Sequence, residues 1–90
     1  MSSSNWTVVV DPHAAQDFKK LHRQHHPALS QLLRAVDSLA DQPYEGKPLK
    51  GDKQGSRSLR VGDFRIIYEL YPDRRTIHMI RIGDRKDIYR

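Results

Sequence analysis

Two periodicities divide the chain. As far as about residue 41, apolar positions recur at three- and four-residue spacing; from Ser56 onward they fall on every second residue. The opening Asn5–Val10 (NWTVVV) breaks the first pattern: its run of β-branched residues suits a pleated, half-buried strand. Asp11-Pro12 then marks a helix start, because an aspartate can accept from the unpaired amides of a first turn and proline there loses no hydrogen bond. Ala14, Ala15, Phe18 and Leu21, with His22 or His25 extending the line, form one stripe. Pro27 begins a second helix with Leu29, Leu32, Leu33, Val36, Leu39 and Ala40 as its stripe. So short a connection predicts a helical hairpin packed on something apolar.

Pro43–Gly55 (PYEGKPLKGDKQG) reads as a loop, rich in the residues that punctuate regular structure. Ser56–Val61 is a short strand, Gly62-Asp63 a turn, and Phe64–Tyr71 (FRIIYELY) the clearest strand in the chain. Pro72-Asp73-Arg74 turns back into Thr76–Ile82 (TIHMIRI); Gly83-Asp84 is expected to end that strand, and Arg85–Arg90 to form a last short segment. Met1–Ser4 are expected to be loose. In the long strand Phe64, Ile66, Tyr68 and Leu70 share one face and Arg65, Ile67, Glu69 and Tyr71 the other. The helices can cover the first face, leaving the second partly open with Arg65 displayed. The expected fold is α+β, order β-α-α-β-β-β: a small, twisted, mostly antiparallel sheet with an N-terminal helical hairpin on one side. Residues 1–90 make a single domain.

Composition sharpens this. At 90 residues a chain buries only roughly 60% of its unfolded surface, so stability margins are thin. It has no cysteine, which removes disulfides and thiolate metal sites and fits a reducing, cytoplasmic setting. No apolar run approaches membrane-spanning length. The net charge is +5 and the pI about 9.8, which points to a polyanion, most simply nucleic acid, or to an acidic protein. The charge is uneven. Residues 1–45 hold four Lys/Arg against five Asp/Glu, net −1; residues 46–90 hold twelve against six, net +6. In the second half the arginines alternate with Ile, Leu, Phe, Tyr and Val, so they belong to a fixed surface rather than a basic tail. His22, His25 and His26 cluster at the helix junction, yet no carboxylate or thiol motif completes a metal site there.

Three segments carry a family resemblance: Leu49-Lys50-Gly51, Leu59 through Tyr68 (LRVGDFRIIY) and Ile82 through Arg90 (IGDRKDIYR), with Pro12, Ala15, Phe18, Lys20 and Leu21 matching its opening helix. Together they resemble the RelE/ParE superfamily of small toxins from toxin–antitoxin pairs, over nearly the whole chain. The resemblance implies a small sheet flanked by a helical hairpin, in agreement with the periodicities. For the RelE branch it implies a ribosome-dependent endoribonuclease (an mRNA interferase), in which the 2′-hydroxyl attacks the adjacent phosphate. The partners it implies are messenger RNA, the ribosome and a cognate antitoxin, with no cofactor, metal or membrane. For the ParE branch it implies inhibition of DNA gyrase instead. A homologue that only binds antitoxin or nucleic acid is the third reading.

The resemblance also implies roles. Arg65 would contact the scissile phosphate, since a guanidinium fork matches phosphate oxygens and stays protonated. Arg85 would stabilise the leaving 5′-oxygen. Tyr89 would serve as base for the 2′-hydroxyl or stack on a nucleobase, a phenol needing neighbouring cations to act as base. Lys50, Lys53, Arg57 and Arg60 would hold RNA backbone, with Arg81 and Lys86 extending the patch. Ser56 and Ser58 stand where well-studied RelE members have lysines, with Arg57 directed to the opposite face; Asp84 stands where many relatives have histidine.

Overall fold

The computed structural model describes residues 6–49 and 55–84. The expectations for Met1–Ser4 and for the segment 85–90 lie outside those residues. In chain order the elements are β1 (Thr7–Val10), α1 (Pro12–Arg23), α2 (Ala28–Asp41), β2 (Lys47–Pro48), β3 (Ser56–Val61), β4 (Phe64–Tyr71), a single 3₁₀ turn (Pro72–Arg74) and β5 (Thr76–Asp84). The strands form one open sheet in the order β1-β5-β4-β3-β2, with β1 parallel to β5 and every other pair antiparallel. The fold is α+β, with two helices preceding a mostly antiparallel sheet. Among the described residues no helix is long and apolar enough to cross a membrane.

Local chemistry explains the helix ends. The Asp11 carboxylate accepts from the His13 amide at 3.0 Å, and Pro12 occupies the first turn. After Arg23 the chain leaves the helix through His25 at φ 50, a left-handed conformation. Helix α2 is capped by an imidazole: His26 Nδ1 accepts the Ala28 amide at 3.0 Å, so Nδ1 carries no proton while the cap is made. The His26 ring also stands edge-on to Phe64, centroids 5.0 Å apart. His22 and His25 are exposed, so the α1 stripe ends at Leu21 instead of running on through them. Leu33 is exposed too, because it lies off the line of Leu32 and Leu39, which are fully buried.

The sheet departs from expectation twice. β5 does not stop before Gly83-Asp84. It pairs onward, Arg65 with Gly83 and Phe64 with Asp84, because the eight-residue β4 supplies partners for its whole length. The presumed loop contains a two-residue strand, Lys47–Pro48, paired with Ser58 and Arg57. Proline donates no hydrogen bond, so such a strand suits a sheet edge.

The core is Ala14 and Leu21 from α1, Leu32 and Leu39 from α2, Ile66, Tyr68 and Leu70 from β4, and Ile77, Met79 and Ile82 from β5, with Val61 at its margin. Met79 and Ile82 are three residues apart, yet both face inward. Pairing jumps from Ile67–Arg81 to Tyr68–Met79 and leaves Ile80 as an extra residue, a bulge that restores the alternation.

Two polar devices complete the fold. Tyr68 is wholly buried; its hydroxyl accepts the Gly46 amide at 2.9 Å and donates to the Pro43 carbonyl at 3.0 Å. A Cβ on Gly46 would stand 2.6 Å from that hydroxyl and 2.9 Å from the Ser58 carbonyl oxygen, so no other residue fits there without movement. Along β5, parallel pairing with β1 ends at Met79. Beyond it Asp17 replaces the missing strand: its Oδ2 accepts the Ile82 amide at 2.8 Å and Arg81 Nε at 3.1 Å.

Candidate functional site

Directly paired residues of antiparallel strands share a face, so the face opposite the helices can be read row by row. One row is Arg60 on β3, Arg65 on β4 and Gly83 on β5. The next is Ser58, Ile67 and Arg81. The third is Ser56, Glu69, His78 and Val9, reaching across to β1.

The first row sets two like charges directly opposite each other, an arrangement that is destabilising in a sheet. Gly83 adds no side chain beside them. Arg65 is half-buried; its Nη1 lies 3.5 Å from Ser58 Oγ, which itself is buried beneath it. Arg60 is exposed and donates from Nε to the Gly62 carbonyl at 3.2 Å. Both side chains rise from the same face of a strand pair, and a guanidinium is a donor suited to an anion's oxygens.

The other predicted cations among the described residues are engaged within the protein. Arg57 points to the helix side, as its alternation requires. It donates from Nε to the Gly46 carbonyl at 2.8 Å and from Nη2 to the Tyr44 carbonyl at 3.1 Å, with its guanidinium 5.3 Å from the centre of the Tyr44 ring. It thereby holds the segment that Tyr68 also holds. Arg81 pairs with Asp17. Lys50, Lys53, Arg85, Lys86 and Tyr89 lie outside the described residues.

The third row holds functional candidates that sequence reasoning passed over. His78 stands between two carboxylates: Nε2 is 3.4 Å from Asp11 Oδ1, and Nδ1 is 3.9 Å from Glu69 Oε1. Glu69 Oε1 accepts the Tyr71 hydroxyl at 2.8 Å, and Glu69 Oε2 lies 3.4 Å from Ser56 Oγ. The Asp11 carboxyl is held below the usual carboxylate range, chiefly by the His13 amide, then by the His13 side chain. The Tyr71 phenol is pushed up by its hydrogen bond to Glu69 and by that negative charge. Strand alternation does place Glu69 and Tyr71 beside Arg65, but only the register brings His78 and Asp11 to them. Among the described residues no group of three His, Asp or Glu is arranged to hold a metal ion. A separate cleft of about 270 Å³ between α1 and the end of β5 is lined by Asp17, Lys20, His26, Phe64, Arg81 and Asp84, charges of both signs that do not single out an anion.

Known proteins share this architecture. Residues 8–89 match the family described as ParE toxin of type II toxin–antitoxin system, parDE. The chain is 30% identical to Toxin RelE of Mycobacterium tuberculosis over 84 residues, covering 92% of this chain and 84% of the relative. It is 31% identical to Toxin RelG of the same organism over 86 residues, covering 94% and 97%. The toxin–antitoxin complex RelBE2 from Mycobacterium tuberculosis contains a chain that superposes with a TM-score of 0.72 at 28% identity, covering 89% of this chain and 98% of that one. The family match carries the ParE name and the two relatives carry the names RelE and RelG, a division that falls below the level of the superfamily. The chain belongs to the RelE/ParE superfamily of toxin–antitoxin toxins.

Proposed function

We propose that the protein is a RelE-like endoribonuclease that acts in the cytoplasm on messenger RNA in the ribosomal decoding site and is neutralised by a cognate antitoxin. The observation that carries this reading is the Arg60–Arg65 row: two guanidinium groups directly opposite each other on the face away from the helices, donors that match phosphate oxygens. In the reaction the 2′-oxygen bonds to the adjacent phosphorus and the bond from phosphorus to the 5′-oxygen breaks. A cyclic phosphate and a 5′-hydroxyl result, and the proton passes from the 2′-hydroxyl to the leaving oxygen. RNA supplies its own nucleophile, so the protein orients it and offsets developing charge without a metal. Arg65 neutralises the phosphate and Arg60 holds the neighbouring backbone. Arg85 stabilises the leaving oxygen and Tyr89 accepts the 2′-proton or stacks; Lys50, Lys53 and Lys86 add backbone contacts. An antitoxin partner is supported by the RelBE2 toxin–antitoxin complex, to which the chain is similar.

A second reading, inhibition of DNA gyrase, is favoured by the match to the ParE family over residues 8–89. One assay separates the two. The protein is added to purified ribosomes translating a defined message, and new 5′ ends are mapped by primer extension. The expected result is ends within the decoding-site codon, lowered about 100-fold or more by Arg65→Ala, as for loss of one oxyanion-stabilising group. Intact message together with trapped gyrase–DNA cleavage complexes would establish the second reading instead.

A further inference from the structure

The acidic end of the open face is at odds with simple backbone binding. Glu69 and Asp11 repel phosphate, yet they share the face with Arg60 and Arg65. Arg65 and Glu69 are four residues apart on one strand, about 13 Å, so a single phosphate cannot meet both. Whatever polar group of an RNA lies over Glu69 must therefore be a donor, and in RNA the donors available to a carboxylate are base N–H groups and the 2′-hydroxyl. Beside Glu69 stands Tyr71, 39% exposed, its hydroxyl tied to the same carboxylate at 2.8 Å, so its ring orientation is set in advance. An exposed, oriented aromatic ring is a stacking surface for a base. Glu69 itself remains 35% exposed and has room for another donor, since a carboxylate accepts at about four positions. The His78 ring stands beside it, Nδ1 3.9 Å from Oε1.

We infer that Glu69, oriented by Ser56 and His78 and flanked by the Tyr71 ring, reads the base of a nucleotide next to the scissile phosphate and favours a base with an exocyclic amino group (adenine, cytosine or guanine) over uracil. This rests on the RNA-cleaving reading above. Adenine N6, cytosine N4 and guanine N2 are exocyclic amino groups with two donors each, whereas uracil carries two carbonyl oxygens and donates only from N3–H, so a carboxylate discriminates against uracil. Glu69 and Tyr71 make the preference. Ser56 and His78 are positioning residues.

The test uses the full-length protein and purified ribosomes holding a decoding-site codon varied through all four bases at each position. Wild type is expected to cleave adenine-, cytosine- or guanine-containing codons about tenfold faster than their uracil counterparts at one position, the size of one good base contact. Glu69→Gln, whose amide also donates, should bring uracil to within about twofold of the best codon. Tyr71→Ala should weaken all bases at that position, and an unchanged thermal midpoint keeps either result from reflecting misfolding. An identical preference in wild type and Glu69→Gln overturns the inference and leaves cleavage standing, as does a wild type that cleaves every codon equally. A wild type that cleaves no codon overturns the cleavage reading. The surface is then scored by Tyr71 ring shifts on titration with oligoadenylate, oligocytidylate and oligouridylate: equal response to all three overturns it, and response to the first two alone supports it.

Discussion

Tyr68 shows how much one side chain can determine here. Its ring fills the core while its hydroxyl, between Gly46 and Pro43, holds a segment that has almost no regular structure of its own. Tyr68→Phe keeps the packing and orphans both backbone groups, so urea unfolding should show a loss of about 1–3 kcal/mol. The pH dependence follows from burial, which pushes the phenol above its ordinary value near 10. Below that value the phenol is neutral in folded and unfolded chains alike, and its contribution is full. Above it the unfolded chain ionises first, so stability falls as pH rises through the folded value, and Tyr68→Phe should flatten that alkaline decline. Asp11 behaves in the opposite sense. Its depressed carboxyl contributes fully above the unfolded value near 4 and loses that contribution as pH falls through the folded one, so Asp11→Asn should blunt acid unfolding. Arg60 should separate function from stability. Arg60→Gln relieves the repulsion with Arg65, so chemical denaturation should find it neutral or more stable by a few tenths of a kcal/mol, while RNA cleavage declines.

At the scale of elements, the informative feature is where β1 stops. Four residues of parallel strand cover β5 only to Met79, and the chain then turns into α1. The far half of β5, which carries Gly83 beside Arg65, would present an open edge there, and Asp17 from α1 closes it at Ile82. One helix carboxylate thus does for the sheet what another pair of strand residues would do. Asp17→Ala should cost about 1.5–3 kcal/mol, the range for a hydrogen bond to a charged group. Native-state hydrogen exchange should locate the loss: the Ile82 amide should speed up far more than that of Ile77. Loss spread evenly over β5 would mean that Asp17 acts through general packing instead. The same logic assigns Arg57 to architecture, since both its carbonyl partners belong to the segment before β2.

For the whole molecule, the net charge of +5 conceals a face with a cationic end and an acidic end. Arg60 and Arg65 should each contribute about one unit to the salt dependence of RNA binding, while Arg57→Ala should lower stability and leave that slope unchanged. Binding isotherms at several salt concentrations would distinguish them. Much of this was legible before the fold was known. Alternation alone separated Phe64, Ile66, Tyr68 and Leu70 from Arg65, Glu69 and Tyr71, because the period of a strand depends only on backbone geometry. The helix start at Asp11-Pro12 and the bounds of β3 and β4 were likewise local matters. The extension of β5 through Gly83-Asp84, the bulge at Ile80 and the parallel placement of β1 were not local. Each depends on which strand lies alongside, and register is a property of pairs. So the sequence by itself determined the two helices, the longer strands and their faces, and the family. Only the tertiary structure decided that Arg60 faces Arg65, that Arg57 and Arg81 are occupied within the protein, and that Asp11, Glu69, Tyr71 and His78 converge. Those facts join residues up to 67 positions apart, and no local preference encodes contacts at such separation.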